Sequence, residues 1–235
     1  MKYIFDVDGT LTPSRTKMNK HFAIWFSKFC NKNEVYLVTG SDVSKTIEQV
    51  GEYIHCSCKS VYQCSGNEVY IKGTLCYTTS WELPNDARDF LENELKESVY
   101  PYRIGNHIEE RAGMVNFSVV GRNCNKQERT SYVNYDKATN ERKTIADRFN
   151  AKFPNITANV AGETGLDIGE LGSDKSQILR NFDKLDEIYF FGDSMFKGGN
   201  DYALAEALKD YPNAKSFEVS CWKDTLIKLK ELKND

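Results

Sequence analysis

The sequence predicts an α/β fold: an open sheet of mainly parallel strands, with a second, α+β domain inserted into it. Three observations predict this. Short apolar runs at residues 3–5, 35–38 and 187–191 have the length and composition of strands buried on both faces, and residues 60–63 read as a further strand. Helix-like patterns lie between them, as the crossovers of a parallel sheet require. The alternation breaks near residue 81 and returns near residue 174. The expected division is a core of residues 1–80 and 171–235, with residues 81–170 inserted.

In chain order, Tyr3-Ile4-Phe5 is a strand that runs straight into Asp6 and Asp8. Phe22, Trp25, Phe26 and Phe29 recur at helical spacing and mark the buried face of the first helix. Residues 35–38 form the second strand, which ends in Thr39-Gly40-Ser41-Asp42, and Ser44 is placed to cap the helix that follows. Residues 60–63 read as a third strand, and residues 68–72 and 75–78, joined at Gly73, as a hairpin. In the insert, residues 85–97 and 127–149 read as two helices, and residues 114–120, 156–161 and 166–168 as extended segments. Back in the core, residues 176–182 and 202–209 are helical, 187–191 and 216–219 are strands, and 222–232 is the last helix.

Composition narrows the function. The 235 residues carry 31 Lys and Arg against 34 Asp and Glu, a net charge of −3. That balance argues against a nucleic-acid binder that works by phosphate neutralisation. Hydrophobic residues at 40% and charged residues at 28% support a packed core. No apolar run nears the ~20 residues of a membrane helix, and Asp6 interrupts any signal-peptide core. The seven cysteines, an odd number with no CxxC pair, read as reduced thiols of a cytoplasmic protein rather than as disulfides or a zinc site. His21, His55 and His107 are dispersed, and GxxxxGK[ST], HExxH and GxSxG are absent.

The chemistry gathers at strand ends, where open α/β sheets bind ligands. Asp6 and Asp8 follow the first strand, Thr39, Ser41 and Asp42 the second, and Asp193 the strand at 187–191, with Asp201 nearby and Lys175 opening a helix. Carboxylates brought together repel unless a cation joins them. All-oxygen ligands with few histidines suit Mg²⁺, and a lysine ammonium suits phosphate. Carboxylate, hard cation and lysine together serve phosphoryl transfer. Asp6 would attack phosphorus, Asp8 would move the proton of the leaving oxygen, and Lys175 would neutralise charge on the phosphoryl oxygens.

At these residues the chain resembles the haloacid dehalogenase superfamily. Asp6-Val7-Asp8-Gly9-Thr10-Leu11-Thr12 is similar to its first motif and Val38-Thr39-Gly40 to its second. Lys175 matches the third, and Gly192-Asp193 with Gly198-Gly199-Asn200-Asp201 the fourth. An insert between the second and third motifs is the placement of a C2-type cap on a Rossmann-like core. Within the insert, residues 107–122, from His107-Ile108-Glu109 to Val120-Gly121-Arg122, resemble the FIEFRNGMLNVSPIGR pattern of the eukaryotic-type phosphomannomutases, and Cys124 with Gln127-Glu128-Arg129 resembles the pattern that follows it.

The resemblance implies interconversion of mannose 6-phosphate and mannose 1-phosphate through a hexose 1,6-bisphosphate. It implies Asp6 as nucleophile, Asp8 as general acid and base, and Mg²⁺ held by Asp6, the Asp8 backbone carbonyl, Asp193 and Asp201. It also implies glucose or mannose 1,6-bisphosphate as activator, and a homodimer joined through the cap. Arg15 matches the core's substrate arginine, with Thr39 and Ser41 beside the site; Arg111, Arg122 and Arg129 match the cap arginines, and Asp167 the acid that holds sugar hydroxyls. Planar guanidinium groups suit a phosphate that is not being transferred.

The departures cluster at residues 162–175. Gly165 stands where the family has the phosphate-binding serine, Glu163 where it has glutamine, and Ser173 where it has tryptophan. Glu163 and Gly165 keep a second reading open, a sugar-phosphate phosphatase in which water takes the phosphoryl group from Asp6. The third reading, a binding module without catalysis, is disfavoured by the intact Asp6, Asp8, Lys175 and Asp193.

Overall fold

The computed structural model describes residues 1–232; the last three residues of the expected 171–235 segment lie outside it. In chain order the strands are β1 (Lys2–Phe5), β2 (Glu34–Val38), β3 (Ser60–Gln63), β4 (Glu68–Ile71), β5 (Thr74–Thr78), β6 (Ile108–Arg111), β7 (Met114–Phe117), β8 (Ile156–Ala161), β9 (Gly165–Glu170), β10 (Ile188–Gly192) and β11 (Ala214–Glu218). The α-helices are α1 (Lys20–Cys30), α2 (Val43–Val50), α3 (Glu52–Ser57), α4 (Asn85–Glu97), α5 (Lys126–Thr139), α6 (Glu141–Lys152), α7 (Tyr202–Ala207) and α8 (Trp222–Glu231). The chain falls into two compact units. One comprises Met1–Thr78, Asp174–Lys197 and the residues from Asp201 onward; the other comprises Thr79–Ser173 and Gly198–Asn200.

The first unit is built on a sheet of order β11-β10-β1-β2-β3-β4-β5. The strands from β11 to β3 are parallel, and β3, β4 and β5 are antiparallel. Both faces are covered, and the period of two shows which residue goes where. Tyr3, Phe5, Tyr189 and Phe191 point into one layer with Phe22, Phe26 and Phe29 of α1. Ile4, Ile188 and Phe190 point into the other, with Ile178, Phe182 and Leu204. The Phe5 ring stacks on Phe191 at 5.0 Å and meets Phe26 edge-on at 5.2 Å. Because β1 lies between β10 and β2, the segments that follow these three strands emerge side by side.

Three local expectations change. Asp42, not Ser44, caps α2: its carboxylate accepts from the Lys45 N–H, and the Ser44 hydroxyl donates to it. Residues 175–181 form a 3-10 run rather than an α-helix, capped by Asp174. Lys72 leaves the expected strand for the turn, where Lys72 and Gly73 both have positive φ, as a tight hairpin demands.

The second unit is an antiparallel sheet of order β6-β7-β9-β8 packed on α4, α5 and α6. Tyr132, Phe149, Phe117 and Ile168 are its fully buried centre. The helix expected at 127–149 is two helices, separated at Asn140, whose φ of 55° ends α5. Strand β6 carries Glu109, Glu110 and Arg111 on a sheet edge and has no apolar signature; it was not expected. Among the described residues no helix is long and apolar enough to cross a membrane.

Candidate active site

The residues after β1 and β10 form the acidic centre of the first unit. The chain turns sharply at Gly9, φ 85°, where a Cβ would lie 2.1 Å from Asp193 Oδ2. Leu11 and Thr12 N–H groups both return to the Val7 carbonyl and close this loop. Only glycine lets the backbone pass so close to the second acid.

Lys175 is fully buried, and its ammonium donates to Asp6 Oδ1 at 2.6 Å and to Asp201 Oδ1 at 2.7 Å. Asp201 Oδ2 accepts from the Ser194 N–H at 3.1 Å. Asp6, Asp193 and Asp201 each offer an oxygen within 4.8 Å of the others. Three carboxylates thus face one ammonium. Burial, followed by Asp201, pushes Asp193 up to about 6. Burial also pushes Asp6 well above the ordinary carboxylate range; Lys175 opposes that shift, and Asp201 and Asp193 add to it. Burial alone would lower Lys175, but Asp201 and Asp6 hold it charged. The second Asp6 oxygen, Oδ2, is buried with no hydrogen-bond partner. An orphaned carboxylate oxygen, an excess of negative charge and an all-oxygen donor set fit a hard divalent cation.

Asp8 is two residues on but is held differently. Its Oδ1 accepts from the Arg15 N–H at 2.8 Å and from Gln49 Nε2 at 2.9 Å, and its Oδ2 accepts from the Ser41 hydroxyl at 3.4 Å. Its side chain is outside the three-acid cluster, which leaves its backbone carbonyl for the expected metal role. Thr39 is buried, and its hydroxyl accepts from the Ser41 N–H at 3.1 Å. Asp6, Lys175, Asp193 and Asp201 therefore meet in one place, with Asp8, Ser41 and Thr39 joined to one another beside them. Gln49 was missed in the sequence. The signal available was a glutamine on the buried face of α2, with Thr46 and Val50.

The second unit gathers another charged set. Glu109 takes Arg111 at 3.1 Å and also pairs with the Nε of Arg122. Arg111 lies 3.7 Å from Asp167, which accepts from Asn116 Nδ2 at 2.7 Å. Arg129, in the first turn of α5, meets Glu163 at 3.4 Å. The arginine side chains are only 5%, 13% and 14% exposed, too buried for ordinary surface pairs. The register Asn116↔Asp167 puts Gly165 on the Asp167 side of β9. A side chain there would meet the Asn116 amide at 2.6 Å. Thr164, in the turn before β9, is buried, and its carbonyl accepts from the Ser118 hydroxyl.

The comparisons agree with one another. A family model described as eukaryotic phosphomannomutase matches residues 22–235. Phosphomannomutase 1 of Dictyostelium discoideum is 34% identical over 245 residues, covering 97% of this chain and 95% of its own. The phosphomannomutase of Glycine max is 34% identical over 218 residues, covering 87% and 86%. Among solved structures, a subclass IIB sugar phosphatase of the haloacid dehalogenase superfamily superimposes with a TM-score of 0.58 at 15% identity, over 100% of this chain and 99% of its own. The IMP-bound IMP-nucleotidase of Plasmodium falciparum superimposes with a TM-score of 0.63 at 15% identity, over 99% and 68%. These distant likenesses carry the fold, a Rossmann-like parallel core with a cap.

Proposed function

The chain belongs to the eukaryotic phosphomannomutase family, and from that membership we propose that it interconverts mannose 6-phosphate and mannose 1-phosphate by way of a phosphorylated Asp6. The observation that carries the reading is the division of labour at the end of β1. Asp6 is buried against Lys175 with one oxygen bare, whereas Asp8 is held apart by neutral donors. The first is set up as a nucleophile and the second as a proton carrier.

In the proposed reaction an Asp6 oxygen bonds to the phosphorus of a hexose 1,6-bisphosphate. The bond from phosphorus to the sugar oxygen breaks, and Asp8 gives that oxygen a proton. That monophosphate leaves as product, and a substrate monophosphate carrying its phosphate at the opposite position offers its free hydroxyl, so that the bisphosphate formed next enters the following cycle turned about. Asp8 takes the hydroxyl proton, the hydroxyl oxygen bonds to phosphorus, and the bond from phosphorus to Asp6 breaks. Lys175 holds Asp6 in place and faces the phosphoryl oxygens. Mg²⁺, held by Asp6, Asp193 and Asp201 with the Asp8 carbonyl, would neutralise charge on the transferring group.

Arg15, Thr39 and Ser41 are proposed to bind substrate in the first unit. Arg111, Arg122, Arg129 and Asp167 are proposed to bind the sugar and the phosphate that stays behind. We further propose glucose or mannose 1,6-bisphosphate as activator, a homodimer formed through the inserted domain, and a cytoplasmic location. A reducing compartment accords with seven cysteines that form no disulfide among the described residues.

The test is incubation of the purified protein with mannose 1-phosphate, Mg²⁺ and a catalytic amount of glucose 1,6-bisphosphate. Mannose 6-phosphate is the expected product. Free mannose and inorganic phosphate as main products would instead support the phosphatase. That second reading draws on Glu163, which already occupies Arg129. Arg122→Ala should raise KM for mannose 1-phosphate by about tenfold or more, since a charge-assisted contact to phosphate is worth about 1.5–3 kcal/mol. The Mg²⁺ concentration giving half-maximal activity should not move. An unchanged KM would remove Arg122 from the substrate site.

A further inference from the structure

We propose that Gln49 is a positioning residue for phosphoryl transfer: its amide fixes which oxygen of Asp8 carries the proton. This rests on the acid–base role of Asp8 proposed above. Gln49 sits near the end of α2, 5% exposed, and its backbone carbonyl accepts from the Met18 N–H at 2.7 Å. Its Nε2 donates both hydrogens, one to Asp8 Oδ1 at 2.9 Å and one to Thr12 Oγ1 at 3.0 Å. The orientation of the amide is dictated by its partners. A carboxylate oxygen can only accept from it, and the Thr12 hydroxyl has its own acceptor, the Val7 carbonyl at 3.4 Å.

The consequence is geometric. Asp8 Oδ1 receives two N–H donors, from Gln49 and from Arg15. A protonated carboxyl cannot place its hydrogen where an N–H already points, so the proton is confined to Oδ2. Among the described residues that oxygen accepts only from the Ser41 hydroxyl, at 3.4 Å, a long contact that a reacting sugar oxygen can displace. Thr12 belongs to the loop that carries Asp6 and Asp8, so the second hydrogen of Gln49 ties the same amide to the frame of that loop. Removing the amide frees a lone pair on Oδ1 and lets the proton occupy the wrong oxygen.

The variant is Gln49→Met, close in volume and without a donor; Gln49→Glu, which keeps the shape but sets a carboxylate against Asp8, is its companion. Two phosphoryl donors separate proton delivery from everything else. From glucose 1,6-bisphosphate the leaving group is the sugar alkoxide of a glucose monophosphate, which needs the proton, whereas from acetyl phosphate it is acetate, which does not. For Gln49→Met, phosphorylation of the protein by glucose 1,6-bisphosphate should slow about tenfold to a hundredfold, part of the roughly 10²–10⁴-fold that general acid catalysis supplies. KM should stay within about twofold. Phosphorylation by acetyl phosphate should hardly change. Gln49→Glu should slow the bisphosphate reaction at least as much. Equal loss with both donors, or loss with neither, overturns the inference. Wild-type protein that fails to make mannose 6-phosphate overturns the mutase reading instead, because the two-donor ratio is read on phosphoryl acceptance whatever takes the group afterwards.

Discussion

Asp6→Asn should abolish turnover while leaving the fold at least as stable as before. The amide nitrogen is not nucleophilic and its oxygen carries no full charge, so no phosphoryl group can be accepted; the expected loss in kcat is about four orders of magnitude or more. The stability half follows from electrostatics. Asp6 is held well above the ordinary carboxylate range, by burial before anything else, with Lys175 opposing and Asp201 and Asp193 adding to it. Its charge is therefore a net strain on the metal-free fold. An Asn keeps an acceptor for the Lys175 ammonium, and its NH₂ replaces an oxygen that had no partner. The melting temperature of the metal-free variant should equal or exceed that of the parent, and Mg²⁺ should raise it less. Turnover by a folded Asp6→Asn protein would remove Asp6 from the nucleophile's place. A lowered melting temperature without metal would show that the Asp6 charge supports the fold.

The strands of the core were legible because sheets covered on both faces are written as continuous apolar runs. Tyr3-Ile4-Phe5 and the run at 187–191 needed no partner information to be recognised. The acids were legible because they directly follow those runs. What escaped was written in long-range contacts or on edges. Strand β6 is an edge with Glu109, Glu110 and Arg111, and a one-sided polar edge has no periodic signature. The break at Asn140 was readable, since asparagine tolerates the left-handed conformation that ends a helix. Gln49 meets Asp8 across 41 positions of sequence, and nothing local announces it. The arginines were found only through resemblance, because Glu109 and Glu163, their ion-pair partners, are common neighbours in any charged segment.

Lys175→Met should unfold more readily than any surface variant, and Mg²⁺ or acid should repair much of the damage. The ammonium is fully buried and pairs with Asp6 and Asp201 at 2.6 and 2.7 Å. Deleting one partner of a buried ion pair costs about 3–5 kcal/mol, because the remaining charge stays desolvated. At about 2–4 °C per kcal/mol for a chain of this size, the metal-free protein should melt roughly 10 °C lower. The repair follows from the three acids left behind. Asp193 already titrates at about 6, raised by burial and then by Asp201. A group whose folded pKa is raised contributes stability that is present below the ordinary carboxylate range, near 4, and lost as pH rises through about 6. Without Lys175 to oppose it, that window moves to higher pH. The deficit of Lys175→Met should therefore be large at pH 8 and shrink steadily toward pH 5, measured as melting temperature against the parent in chelator. Added Mg²⁺ should shrink it at pH 8 as well, since a cation bound to the folded state alone stabilises it by mass action. Activity should not return with stability, because Lys175 is also the ammonium proposed to face the transferring group. A deficit that ignores both pH and Mg²⁺ would reduce Lys175 to a packing residue and leave the three acids without the shared charge that the proposed chemistry requires.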